Sequence, residues 1–140
     1  MMDRIDLQVE TPPVTAADLA LPPPAEGTAA AAARVARARA AQADRAAPSG
    51  APPLNAQAAG DWLDLICDLD GAAKALMSRA AQAGNLTARG WTRTLRLART
   101  IADLEGAPAV RRVHVAEALI YRRVAPGAEG LGVSERAPAW

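Results

Sequence analysis

Four arginines recur three or four residues apart in one stretch, at positions 89, 93, 96 and 99. Arginine carries a planar fork of donors that grips a carboxylate or a phosphate through two bonds at once. On a helix this spacing lines the four along one side. Arg93, Arg96 and Arg99 read most simply as a solvated face. Arg89 differs, because it falls in the first turn, where the helix dipole is positive and a cation costs about 0.3–1 kcal/mol. The exposed N–H groups of such a turn, together with a guanidinium, make a site for an anion, and phosphate is the natural candidate. A simply solvated Arg89 is the competing reading, and spacing alone leaves both open.

The other reactive side chains point away from catalysis. No G-x-x-x-x-G-K-[ST] run is present to cradle nucleotide phosphates. The single cysteine, Cys67, and the single histidine, His114, offer no metal-ligand spacing. Cys67 shares an apolar helix face with Leu63 and Ile66 and reads as a small buried hydrophobe. His114 stands at the start of the last predicted helix, where local hydrogen bonding is its simplest role. Asp68 and Asp70 read as capping residues between helices rather than an acid/base pair. By itself the chain reads as no enzyme.

The element that must position the arginines is a helix over 87–106. Thr87 is placed as its N-cap, Leu86 and Trp91 as a hydrophobic staple, and Gly106 as its left-handed terminator. Trp91, Leu95, Ala98 and Ala102 form the centre of an apolar arc that Thr94, Leu97, Ile101 and Leu104 widen. The opposite half carries the arginines with Thr100 and Asp103. Around this helix the pattern predicts an Ala/Arg helix over 28–47, with Val35 as its only large apolar residue and therefore weakly docked. Further helices are predicted over 58–67, over 71–83 with Ala73, Leu76, Met77 and Ala80 inward and Asp70 as cap, and over 110–123 with Val115, Ala116, Leu119 and Ile120 inward. Ahead of them, Ile5, Leu7 and Val9 alternate with polar residues, predicting a short strand with one buried face but no partner strand.

The fold class expected is mainly α: a small helical bundle preceded by one orphan β-strand and a Pro-rich connector. The divisions are 1–10 for the strand and its approach, 11–54 for the connector with its Ala/Arg helix, 55–123 for the bundle, and 124–140 for a Gly/Pro/Ala-rich tail. A net charge of +1 makes no general case for nucleic acid or membrane. Lys74 is the sole lysine, so nearly all cationic character is arginine. No apolar run approaches the roughly 20 residues of a membrane span, and no signal peptide is recognisable. With an unpaired cysteine, the expected setting is cytoplasmic and reducing.

Residues 86–106, LTARGWTRTLRLARTIADLEG, resemble the C-terminal domain of the magnesium-chelatase-like AAA+ ATPases, the ComM/YifB group. Four other stretches agree in order. Asp3 to Leu7 resembles the family's D-R-I-D-L. Arg34, Val35, Ala38, Arg39, Gln42 and Arg45 resemble its R-V-x-x-A-R-x-x-Q-x-x-R helix. Asn55, Ala56 and Gln57, then Leu63, Cys67, Leu69 and Asp70, resemble its N-A-Q…L…C-x-L-D pattern. Val115 to Leu119 with Tyr121 and Arg122 resembles its closing helix. Departures include Ala58 in place of leucine and Thr94 in place of isoleucine.

The resemblance implies roles that spacing cannot supply. Arg89 falls on the sensor-2 position at the start of a lid helix, which faces the ATP γ-phosphate, and Arg93 is a second candidate for that contact. Arg4 falls where related enzymes carry an arginine finger that acts in trans on a neighbouring subunit's ATP. ATP with Mg is thus the implied cofactor, in the context of a complete ATPase only. The implied partners are the AAA+ core and neighbouring subunits of a ring, with DNA reached through the full assembly. Walker motifs are missing, so the expectation is a C-terminal fragment, inactive alone. Two alternatives stand beside it: a small arginine-rich helical module binding nucleic acid, and a non-catalytic partner of an intact family ATPase.

Overall fold

The computed structural model describes residues 5–9, 11–22, 26–84 and 86–122. Among them are six α-helices and no strand: α1 (Ala16–Leu19), α2 (Thr28–Ala46), α3 (Gly60–Cys67), α4 (Gly71–Gln82), α5 (Ala88–Glu105) and α6 (Arg112–Ile120), with short 3-10 turns at Ala47–Ser49 and Asn55–Gln57.

The helix ends follow local chemistry. Pro48 and the left-handed Gly50 (φ 63°) stop α2. Asp68 closes α3 with φ 34°, a left-handed conformation that Asp tolerates better than most side chains. Asp70 Oδ1 then accepts from the Ala73 N–H at 2.6 Å and opens α4. Thr87 Oγ1 accepts from the Gly90 N–H at 3.0 Å to open α5, and Gly106 ends it at φ 77°. These are the caps that the residue types specify. Helix α1, inside the stretch read as extended connector, is held by a reciprocal box. The Asp18 N–H donates to Thr15 Oγ1, and the Thr15 N–H donates to Asp18 Oδ2 at 2.8 Å.

Helix α5 runs through the centre, packed on α6, α2, α3 and the Asn55–Gln57 turn, while α4 packs on α6. Alanines 58, 73, 98, 102 and 118 are fully buried, which lets the helices approach closely. Leu63, Ile66, Leu76, Met77, Leu95, Val110 and Val115 fill the space between them. Each such side chain contributes about 1.5–3 kcal/mol on burial. The chain at Val110 also exchanges backbone bonds with the α3–α4 link, Val110 N–H to the Cys67 carbonyl and Asp70 N–H to the Val110 carbonyl.

Three expectations are corrected. Residues 5–9 form no strand with a buried face: Ile5, Leu7 and Val9 are 48%, 49% and 68% exposed. No neighbouring strand exists among the described residues to complete a ladder, and the segment is held instead by the Gln8 N–H donating to the Tyr121 carbonyl at 2.8 Å. Helix α2 is not weakly docked. It buries Ala38, Gln42 and Ala46 and leaves Val35 outside, so small and polar residues attach it rather than its one large apolar side chain. In α6 Val115 is buried and Ala116 and Leu119 pack against the core as predicted, but Ile120 is 42% exposed, and His114 and Ala118 are buried in addition. The reason is His114, which turns inward to accept from the Arg111 N–H at Nδ1, 3.0 Å, and to meet Glu105 at Nε2.

Candidate functional site

The first turn of α5 is built by Thr87, whose hydroxyl caps it, and by Leu86 and Trp91, which lie against the core from either side of the cap. Arg89 projects from this turn and is exposed. Gly90 is buried, and a Cβ added there would meet Arg122 Nη2 at 3.1 Å and Thr87 Oγ1 at 3.3 Å. Glycine therefore allows the largely buried Arg122 guanidinium to lie against the start of α5. Sequence reasoning placed Arg122 in a matching helix but assigned it no role. The signal that could have found it is a glycine in the first turn of an otherwise strong helix.

The arginine stripe does not form one surface. Arg93 Nη1 pairs with Asp6 Oδ1 at 2.6 Å. Arg96 Nε donates to the Ala58 carbonyl at 2.7 Å. Arg99, expected on a solvated face, is fully buried. Its Nη2 donates to the Ala107 carbonyl at 2.7 Å and pairs with Asp103 Oδ1 at 2.9 Å, and its Nη1 donates to the Pro108 carbonyl at 3.1 Å. Burial lowers the Arg99 pKa, and the Asp103 carboxylate opposes that shift. Among the described residues, Arg89 is the α5 arginine that no hydrogen bond or ion pair engages.

Asp103 is the centre of a buried polar knot. Arg45 from α2 approaches both of its oxygens, Arg99 pairs with Oδ1, and Asn55 Nδ2 donates to Oδ2 at 2.8 Å. Gln42 Oε1 accepts from the Asn55 N–H at 3.3 Å, and Asn55 Nδ2 also reaches Thr100 Oγ1 at 3.1 Å. Gln42, Arg45 and Asn55 are among the polar residues of two of the stretches quoted above. They hold α2 and the Asn55–Gln57 turn onto α5 and are architecture rather than chemistry. Thr94 is also buried without cost to its hydroxyl, which donates to the Gly90 carbonyl at 2.9 Å.

Burial pushes the Cys67 thiol up to about 12, and its Sγ lies 3.6 Å from the Leu95 carbonyl, so it is a core residue. Asp70 is a cap and Asp68 a helix terminator, not an acid/base pair. Among the described residues no group of three or more His, Cys, Asp or Glu is arranged to hold a metal ion. No helix among them is long and apolar enough to cross a membrane. Arg4 lies outside the described residues.

A comparison with curated proteins finds no match. A family model does match, described as magnesium chelatase, subunit ChlI C-terminal, over residues 25–122. The match takes in α2 through α6, and so includes the α5 start and the Asp103 knot. Small size, an all-helical bundle and the matched span agree, and the chain belongs to the magnesium chelatase ChlI C-terminal family, a family of AAA+ lid domains.

Proposed function

We propose that this chain serves as the phosphate-sensing lid of a ring-forming chelatase-type AAA+ ATPase, with Arg89 as the sensor-2 residue. One observation carries the reading. Three of the four α5 arginines are engaged by the protein itself, while Arg89 is exposed in the capped first turn with no partner among the described residues. An uncompensated cation at the positive end of a helix costs stability unless an anion arrives. Its free fork and the first-turn N–H groups fit a terminal phosphate. ATP with Mg, held by an AAA+ core, would supply the phosphoryl group. Arg89 would orient and neutralise its terminal oxygens, with Arg93 one turn further on as a second contact. Arg4 in this reading acts in trans on the ATP of a neighbouring subunit. The resemblance of its motifs to the ComM/YifB group supports a ComM-like ring, which would reach DNA through the full assembly.

The test joins this chain to the nucleotide-binding core of a family ATPase. Alone, the chain should hydrolyse no ATP. In the joined protein, Arg89→Ala should lower kcat at least tenfold while Arg111→Ala, an exposed arginine at the opposite end of α5's path, leaves it unchanged. Equal turnover in the Arg89→Ala and parent proteins would sink the sensor assignment.

A further inference from the structure

Among the described residues, the segment before the helices bonds to the bundle through Asp6 and Gln8, and both contacts flank the start of α5. Asp6 Oδ1 pairs with Arg93 Nη1 at 2.6 Å, and the Gln8 N–H donates to the Tyr121 carbonyl at 2.8 Å. Tyr121 immediately precedes Arg122, whose guanidinium lies against Gly90. The apolar side chains of the segment are not buried: Ile5 and Leu7 are half covered and Val9 is mostly exposed. The ion pair is open to solvent at its Asp6 end, with that side chain 67% exposed and that of Arg93 20%. Exposed pairs of this kind hold weakly and yield to competing ions. Arg93 stands one helical turn after the unengaged Arg89, with roughly 5–6 Å between Cβ atoms at that spacing.

We propose that residues 5–9 are a strap latched to the helical domain by Asp6–Arg93, and that a phosphate group arriving at Arg89 takes Arg93 from Asp6 and releases the strap. Asp6 offers Arg93 a single negative charge, whereas a phosphate offers more charge and further acceptor oxygens. Binding at the start of α5 is thereby coupled to the position of the chain that enters the domain. The release rests on reading Arg89 as a phosphate-sensing residue; the latch does not.

The two parts are separable by amide hydrogen exchange of Gln8 in the purified chain, with the Ala98 and Ala102 amides as an internal measure of folding. Asp6→Asn should lower Gln8 protection by about two- to fivefold, the most that an exposed pair supplies, and leave Ala98 and Ala102 unchanged. Asp6→Lys combined with Arg93→Glu should restore it. Retained protection in Asp6→Asn, or no restoration in the charge exchange, overturns the latch. Pyrophosphate should lower Gln8 protection relative to chloride at matched ionic strength, and should fail to do so in Arg89→Ala. Equal effects of pyrophosphate and chloride, or of pyrophosphate on the parent and Arg89→Ala chains, overturn release by phosphate. A latch that survives with release lost, while Arg89→Ala still slows the joined ATPase, would leave the sensor reading standing without this coupling.

Discussion

Removing the Asp103 carboxylate would leave the guanidinium groups of Arg45 and Arg99 facing each other beside the Asn55 amide, with little access to water. Breaking a buried pair from one side typically costs about 3–5 kcal/mol, because the remaining charge is left uncompensated. Asp103→Ala should therefore lower the urea midpoint by that equivalent with an unchanged slope; a shift below about 1 kcal/mol would show that water repairs the site. Cys67 makes a chemical prediction. Its buried thiol should resist an aromatic disulfide reagent at pH 8 and react only as the protein unfolds, at the unfolding rate. Its folded pKa, about 12, lies above the ordinary 9.0. Its stabilising contribution is therefore fully present below pH 9.0 and is lost as pH rises toward about 12, where the unfolded thiol ionises first. A Cys67→Ala chain should show a shallower decline in stability over that window.

At the scale of the element, α5 depends on its ends. Its central position is set by Ala98 and Ala102, but its first turn is held by one hydroxyl. Thr87→Ala should cost about 1 kcal/mol, while Thr87→Ser, which keeps the acceptor, should recover most of it. Thermal unfolding followed by circular dichroism measures both, and equal melting points for Ala and Ser would show that the cap bond is not what holds the turn. The arginine side of α5 was half legible. Its periodicity marked a polar face, yet Arg99 and Asp103 are inside. A helix surrounded by α2, α3 and α6 has no fully solvated side, and the arginine fork satisfies chain carbonyls that no periodicity reveals.

Considered as a whole molecule, the bundle is one in which α2 is bolted on by polarity. Chains starting at residue 26 should unfold cooperatively, near the full-length temperature. Chains starting at residue 47 lose Gln42 and Arg45 and leave Asp103 and Asn55 partly unsatisfied. Their melting temperature should fall by more than about 10 °C. Equal melting temperatures for the two chains would mean that α2 contributes little beyond its own helicity. Alanine-rich composition made α2's helicity easy to read, but not its attachment. Gln42 and Arg45 meet their partners at residues 55 and 103, far along the chain.

The sequence by itself determined the helix boundaries at α4 and α5, because Asp70, Thr87 and Gly106 act on backbone groups within a few residues of themselves. It also carried the family, because the match rests on residue types in order along the chain, of which Gln42, Arg45 and Asn55 hold α2 and the Asn55–Gln57 turn to α5. Only the tertiary structure decided what each arginine does. Arg93 is occupied by a carboxylate from residue 6, Arg96 by the carbonyl of residue 58, and Arg99 by Asp103 together with carbonyls beyond the end of the helix. Those partners are brought to α5 by packing, and what packing leaves unengaged is Arg89, at the positive end of the helix where an anion is best received.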